Sequence, residues 1–92
     1  MVNGDEKRAF RPKFLPEKLR KIRQILGADT YAEMIRLLNV PEEHLQLNAI
    51  LYYETGRRLP PLNVLLRYSE LSGISINDLV DDRVELSDFV RA

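Results

Sequence analysis

Apolar residues recur at helical spacing along most of the chain. The first group steps by four, three and four residues, which places it on one face of a helix. Proline is favoured in the first turn of a helix and glycine just beyond its end, so Pro16 and Gly27 bound this element. The first predicted helix therefore presents one apolar stripe, made of Leu15, Leu19, Ile22 and Leu26.

A second helix is predicted from its capping residues. Thr30 and Glu33 have the spacing of a capping box, in which each side chain accepts a hydrogen bond from the other residue's backbone N–H. Asn39 can adopt the left-handed conformation that ends a helix. Between these ends we expect three buried residues, Met34, Ile35 and Leu38.

The third predicted helix runs from Pro41 to Thr55. Pro41 is tolerated in a first turn, and the carboxylates of Glu42 and Glu43 suit the positive end of the helix dipole. Gly56 ends this helix, and the two prolines that follow keep the next segment out of a helical conformation.

Two further helices complete a predicted all-α fold of five helices. The fourth ends at Gly73, and Ser75 with Asp78 caps a short fifth helix. The apolar residues that outline these two helices are Leu62, Leu65, Leu66, Tyr68, Leu71, Leu79 and Val80. Residues 83–92 are ambiguous, because Val84 and Leu86 alternate as strand residues do.

Composition narrows the possible functions. The 92 residues suit one domain, and the chain has no cysteine and a single histidine, His44, which makes a zinc site unusual. No apolar run approaches the roughly 20 residues that span a bilayer. The N-terminus lacks the apolar centre of a signal peptide. We therefore expect a cytoplasmic protein without membrane contact, metal or other cofactor.

The sequence also lacks catalytic motifs. It contains no glycine-rich phosphate loop, zinc-protease helix motif or nucleophile elbow. Asp81 and Asp82 are adjacent carboxylates, and a solvated chain end explains them better than an acid–base pair does. His44 is interpreted as an ordinary surface histidine. We therefore predict a protein that is not an enzyme, and no small-molecule ligand is identifiable.

Charge is distributed unevenly, although the formal net charge is zero. Residues 1–26 carry eight basic and three acidic residues, whereas residues 61–92 carry three and six. A basic face of this kind can meet phosphates or an acidic partner, and a solvated tail has the same composition. We divide the chain into a basic, flexible N-terminal arm (1–14), a helical domain (15–82) and a C-terminal tail (83–92). The cations of the arm are Lys7, Arg8, Arg11 and Lys13.

A spaced signature follows the third predicted helix. It consists of Tyr53, Glu54, Gly56, Arg57, Arg58 and Pro60, then the leucine-rich helix and the stretch 73–79. Together with the helices before it, this signature resembles the lambda-repressor/Cro-like, or Xre-type, helix-turn-helix family over about two thirds of the chain.

The resemblance implies a five-helix lambda-repressor-like DNA-binding domain. The chain departs from the family in a lengthened turn and recognition-helix segment between Val40 and Glu54. Tyr31 stands where the family often has glutamine. The resemblance also implies an ion pair between Arg23 and Glu54 that joins the first helix to the third.

The positions that read bases in this family fall on the third helix. Asn48 can make a bidentate contact to adenine, whereas Leu47 and Leu51 can offer only apolar contact. The candidates for base reading are Gln46, Asn48 and Tyr52. The candidates for phosphate contact are Thr30, Tyr31, Arg57 and Arg58, because phosphate contacts fix the register of a reading helix.

The sequence is compatible with two functions. The first is a small sequence-specific transcriptional regulator that occupies an operator in double-stranded DNA as a homodimer. In this interpretation the apolar tail residues Leu86, Phe89 and Val90 form the contact between the two copies. The second is a protein–protein interaction module without DNA binding, which the neutral net charge, the acidic pair at 42–43 and the two leucines at 47 and 51 favour.

Overall fold

The structure, a computed structural model, describes residues 11–41 and 45–85. Within these ranges the chain forms five α-helices and no strand, so the predicted all-α class is confirmed for this part. The helices are α1 (Leu15–Ile25), α2 (Tyr31–Leu38), α3 (Leu47–Thr55), α4 (Leu62–Ser72) and α5 (Ile76–Val80). In the described ranges no helix has the length and apolar character needed to cross a membrane.

The capping box predicted for α2 is present. Thr30 Oγ1 accepts a hydrogen bond from the Glu33 N–H at 3.1 Å, and Glu33 Oε1 accepts one from the Thr30 N–H, also at 3.1 Å. The helix ends at Asn39, whose φ of 52° is left-handed as predicted. Local side-chain chemistry therefore fixes both ends of α2.

The start predicted for α3 is wrong. The helix begins at Leu47 rather than at Pro41, because Gln46 has an extended backbone with φ −112° and ψ 167°. Leu45 is only 4% exposed, and burial of its side chain outweighs the local signals at Pro41. Glu42, Glu43 and His44 lie outside the described residues.

The extra length between α2 and α3 therefore belongs to the connection and not to the helix. The segment from Asn39 to Gln46 joins the two helices, whereas a helix-turn-helix unit usually has a turn of about three to four residues. The end of α3 is as predicted, since Gly56 has a left-handed φ of 80°. Helix α3 consequently has nine residues.

The last two helices follow their sequence signals. Gly73 ends α4 with a φ of 78°. Ser75 Oγ accepts a hydrogen bond from the Asp78 N–H at 3.1 Å and caps α5. Capping and glycine chemistry thus set these boundaries as predicted.

One apolar core holds the five helices together. Helix α3 packs against α1 and α2, while α4 packs against α1, α2 and α5. The side chains with almost no exposed surface are Leu15, Leu19, Ile22, Met34, Leu38, Ile50, Val64, Tyr68 and Leu79. Burying α3 between two neighbours leaves only one face of it in solvent.

Two long cationic side chains neutralise helix C-termini inside this framework. Lys18 is 3% exposed, and its Nζ donates to the carbonyl oxygens of Asp78 at 2.7 Å and Asp81 at 3.0 Å. Arg67 donates to the carbonyl oxygens of Leu38 at 2.6 Å and Leu37 at 3.1 Å. Both satisfy carbonyls that a helix end leaves unpaired, and both place positive charge at the negative end of a helix dipole.

Asp82 joins the two ends of the described chain. Its carboxylate accepts hydrogen bonds from the backbone N–H of Lys13 at 2.9 Å and of Phe14 at 3.1 Å. Asp82 remains accessible to solvent, and its carboxylate also binds the two backbone N–H groups that lead into α1. Asp81 instead accepts hydrogen bonds from the side chain and backbone of Arg83.

Candidate nucleic-acid interface

Helix α3 divides cleanly into a buried and an exposed face. Ala49, Ile50 and Tyr53 point into the core. Leu47, Asn48 and Leu51 are exposed and Tyr52 is half-buried, so these four form the outer face, with Gln46 exposed at the N-terminal cap. The three residues named as base readers, Gln46, Asn48 and Tyr52, therefore all lie at the solvent side of α3 or at its cap.

Gln46 and Asn48 present free amide groups at the start of the helix. Neither side chain forms a hydrogen bond with another of the described residues, and Gln46 does not use its side chain to cap α3. An amide that is not engaged within the domain keeps its donor and acceptor for a partner. Asn48 and Tyr52 are four residues apart, so they are neighbours on the helix surface.

Tyr52 holds two arginines at the other end of α3. The guanidinium carbon of Arg57 lies 5.1 Å from the centre of the Tyr52 ring, and that of Arg58 lies 5.5 Å from it. The backbone N–H of Arg57 also donates to the Tyr52 carbonyl at 2.9 Å. Both cations are thus fixed beside the helix by cation–π contact while remaining exposed to solvent.

Arg23 and Glu54 form the contact that the resemblance implied. Arg23 Nε lies 2.6 Å from Glu54 Oε2, and its Nη2 lies 3.1 Å from Oε1. The side chains of the two residues are 13% and 3% exposed. The hydrogen bond to Glu54 raises the pKa of Arg23 above its ordinary value, so the guanidinium stays protonated.

The two candidates at the start of α2 differ in their surroundings. Thr30 Oγ1 accepts the capping hydrogen bond of Glu33, which leaves the hydroxyl proton able to donate to a phosphate. The Tyr31 ring is half-buried, with the Arg23 guanidinium carbon 5.0 Å from its centre. Tyr31 therefore touches the ion pair that connects α1 and α3.

The described part of the N-terminal arm lies on the helical domain. Arg11 Nη1 donates to the Gly56 carbonyl at 3.3 Å, next to Arg57 in the chain. Pro12 is buried, and the backbone of Lys13 is held by Asp82. Residues 11–14 thus add two exposed cations, Arg11 and Lys13, to the surface beside α3. Lys7 and Arg8 lie outside the described residues.

A cleft of about 800 Å³ opens between α1 and the segment from Tyr53 to Pro60. It brings together two of the predicted phosphate contacts, Tyr31 and Arg58, and two cations of the N-terminal arm, Arg11 and Lys13. It is not lined by Thr30, Gln46, Asn48, Tyr52 or Arg57. Apart from Thr30 at the N-terminal cap of α2, the described candidate residues therefore occupy two neighbouring surfaces, the outer face of α3 and the cleft, with Arg58 beside both.

Two charged residues of this cleft, Glu17 and Arg20, have no distinguishing signal in the sequence. Both are exposed on α1, one helical turn apart. Their positions off the apolar stripe placed them in solvent, but only the packing of α3 shows which side of α1 borders the cleft. Lys18, by contrast, had a signal, since it lies three residues after Leu15 and four before Ile22 on the buried stripe.

Apolar side chains also interrupt the outer face of α3. Leu47 is 56% exposed and Leu51 is 38% exposed. Neither is needed for the core, so both are available to a thymine methyl group or to another protein.

Acidic and histidine side chains form no metal-binding cluster in the ranges 11–41 and 45–85. No family model, curated protein or solved structure matches the chain in the three comparisons.

Proposed function

We propose that this protein is a sequence-specific DNA-binding regulator with a lambda-repressor-like fold that presents α3 to the major groove. The observation that carries the proposal is the layout of one exposed helix face. The amide of Asn48, which bonds to no other described side chain or backbone group, lies near its start, and Arg57 with Arg58 is fixed against Tyr52 at its end. Base-edge chemistry flanked by cations is what a reading helix requires.

Each group has a separate task in this proposal. Asn48 reads adenine through two hydrogen bonds, with Gln46 and Tyr52 as neighbouring contacts. Arg57 and Arg58 neutralise phosphates, and Thr30 and Tyr31 contact the backbone from the start of α2. Arg11 and Lys13 extend the positive surface from the N-terminal side. Occupancy of the operator is the whole mechanism, without chemistry on a substrate.

The long connection between α2 and α3 is compatible with this task because other contacts fix α3. Its buried face packs between α1 and α2, and Glu54 joins it to Arg23. Arg67 independently holds the end of α2 from α4. A tight turn is therefore not needed to hold the two helices in one orientation.

The proposal includes a homodimer on a two-fold symmetric site, since one short helix reads too few bases to be selective. The tail residues predicted to form the contact, Leu86, Phe89 and Val90, lie outside the described residues. Sedimentation of the full chain against a chain ending at Asp82 tests this contact and retains the bonds of Asp82. A monomeric full chain, or a dimer that survives truncation, contradicts it.

A second candidate function rests on the exposure of Leu47 and Leu51. These exposed leucines lie on the same helix face as Asn48. An apolar helix face can bind in a hydrophobic groove of another protein. In this case the domain binds an apolar surface of another protein and does not retain DNA at low salt.

Selection from a random pool of duplex DNA tests the first function against the second. We expect one enriched motif containing adenine, bound at about 50 mM salt and released at higher salt. A protein that retains no duplex at about 50 mM salt contradicts the DNA-binding proposal. If Leu47→Ser then abolishes capture of a protein partner, the second function is supported.

A further inference from the structure

We propose that the cleft between α1 and the segment from Tyr53 to Pro60 is a binding site for a small multivalent anion of the polyphosphate class. The site itself is independent of DNA binding. Competition between this anion and DNA rests on the proposed function.

The walls of the cleft carry more positive than negative side chains. Five cationic side chains line it, namely Arg11, Lys13, Arg20, Arg23 and Arg58, against the two carboxylates of Glu17 and Glu54. Glu54 is already bound to Arg23. No other described carboxylate forms an ion pair with Lys13, Arg20 or Arg58. The cleft therefore holds an excess of positive charge that the described part of the domain does not neutralise.

The size of the cleft suits a small molecule. The volume of about 800 Å³ falls in the range of small-molecule sites, which is about 300–1,000 Å³. Two parts of the wall are held in place, because Asp82 fixes the backbone at Lys13 and Arg11 donates to the Gly56 carbonyl. Cations reach the cleft from α1, the N-terminal segment and the loop after α3. This arrangement suits an anion with several negative charges better than an anion with one.

The cleft adjoins the outer face of α3. Arg58 lines the cleft and also contacts Tyr52, and Tyr31 lines the cleft at the start of α2. Both are assigned to DNA phosphates in the proposed function. An anion in the cleft therefore competes with DNA for these two residues, and a polyphosphate lowers DNA affinity beyond the effect of ionic strength.

Calorimetric titration of the full chain with inorganic tripolyphosphate, at constant ionic strength and without DNA, tests the site. We expect saturable binding of one anion. Arg20→Gln should weaken it about three- to tenfold, because a charge-assisted contact is lost. Lys21→Gln is the matched control, since Lys21 is exposed on the same helix but does not line the cleft, and it should change affinity by less than about twofold. Glu17→Gln should strengthen binding.

The proposed site is wrong if tripolyphosphate shows no saturable binding, or if Arg20→Gln and Lys21→Gln lose tripolyphosphate affinity equally. If tripolyphosphate does not bind and Arg20→Gln loses DNA affinity, the cleft is assigned to a DNA strand instead. Saturable anion binding by a protein that does not bind DNA supports the site and overturns only the competition.

Arg57→Gln should weaken DNA binding and leave tripolyphosphate binding unchanged, because Arg57 lies outside the cleft.

Discussion

Glu54 of α3 holds Arg23 of α1 through two parallel hydrogen bonds, Nε–Oε2 at 2.6 Å and Nη2–Oε1 at 3.1 Å. Arg23 also donates to the Ala28 carbonyl at 3.0 Å and lies against the Tyr31 ring. One guanidinium therefore connects α1, the turn before α2, the first residue of α2 and the C-terminal half of α3. This contact orients the exposed face of α3 relative to the rest of the domain.

Removing one partner of this pair leaves the other without compensation in a nearly buried site. Glu54→Ala is expected to lower the free energy of unfolding by about 3–5 kcal/mol, and Glu54→Gln should also be strongly destabilising. Urea denaturation followed by circular dichroism measures both. Glu70→Ala is the control, because its pair with Arg67 is exposed and should contribute less than about 1 kcal/mol. Glu54 variants within about 0.5 kcal/mol of the wild type would show that the pair has no structural role.

Lys18 is expected to stabilise the contact between α1 and α5. Lys18→Met keeps the apolar stem but leaves the carbonyls of Asp78 and Asp81 without their donor, which should cost about 1–3 kcal/mol. Lys21→Met removes the same charge from the exposed side of α1 and should stay within about 0.5 kcal/mol of the wild type. Equal unfolding midpoints in urea for the two variants would contradict this role.

Asp82 is expected to make stability depend on pH in the acidic range. The hydrogen bond from the Lys13 N–H lowers the pKa of Asp82, and the bonds from Arg83 lower the pKa of Asp81 to about 2. Since both values lie below those of the unfolded chain, the two carboxylates stabilise the fold fully above about pH 4, and this stabilisation is lost as the pH falls through the lowered values.

Urea midpoints measured between about pH 6 and pH 2.5 test this dependence. Asp82→Asn should reduce the acid-induced fall in the midpoint and should speed amide hydrogen exchange at Lys13 and Phe14. A wild type and an Asp82→Asn variant with parallel pH profiles would mean that this carboxylate does not hold the N-terminal segment.

Much of the fold could be predicted because its helix ends depend on local chemistry. The box formed by Thr30 and Glu33, the left-handed Asn39 and the glycines after α3 and α4 act within a few residues of sequence. The prediction for the start of α3 was wrong because that boundary does not depend on local chemistry alone. Pro41 resembles a helix start locally, but burial of Leu45 depends on contacts distant in the chain.

The candidate interface divides in the same way. Helical spacing puts Asn48 and Tyr52 on one surface of α3, and that could be predicted from the sequence. Three other features could not be predicted, because they depend on the path of the chain after Gly56. They are the stacking of both arginines on Tyr52, the hydrogen bond from Arg11 to Gly56 and the cleft beside Arg20. The hydrogen bonds of Asp82 could not be predicted either, because Lys13 and Phe14 lie at the other end of the domain.

Titration of three alanine variants, at residues 48, 57 and 58, on preferred and scrambled duplexes over a range of salt concentrations decides whether α3 reads DNA. Asn48→Ala should cost about 1–3 kcal/mol on the preferred duplex only and leave the salt dependence unchanged, because it removes a base contact. Arg57→Ala and Arg58→Ala should weaken binding to both duplexes alike and make the slope of log affinity against log salt shallower by about one. Equal losses on both duplexes for Asn48→Ala, or no duplex binding by the wild type at about 50 mM salt, would contradict the account.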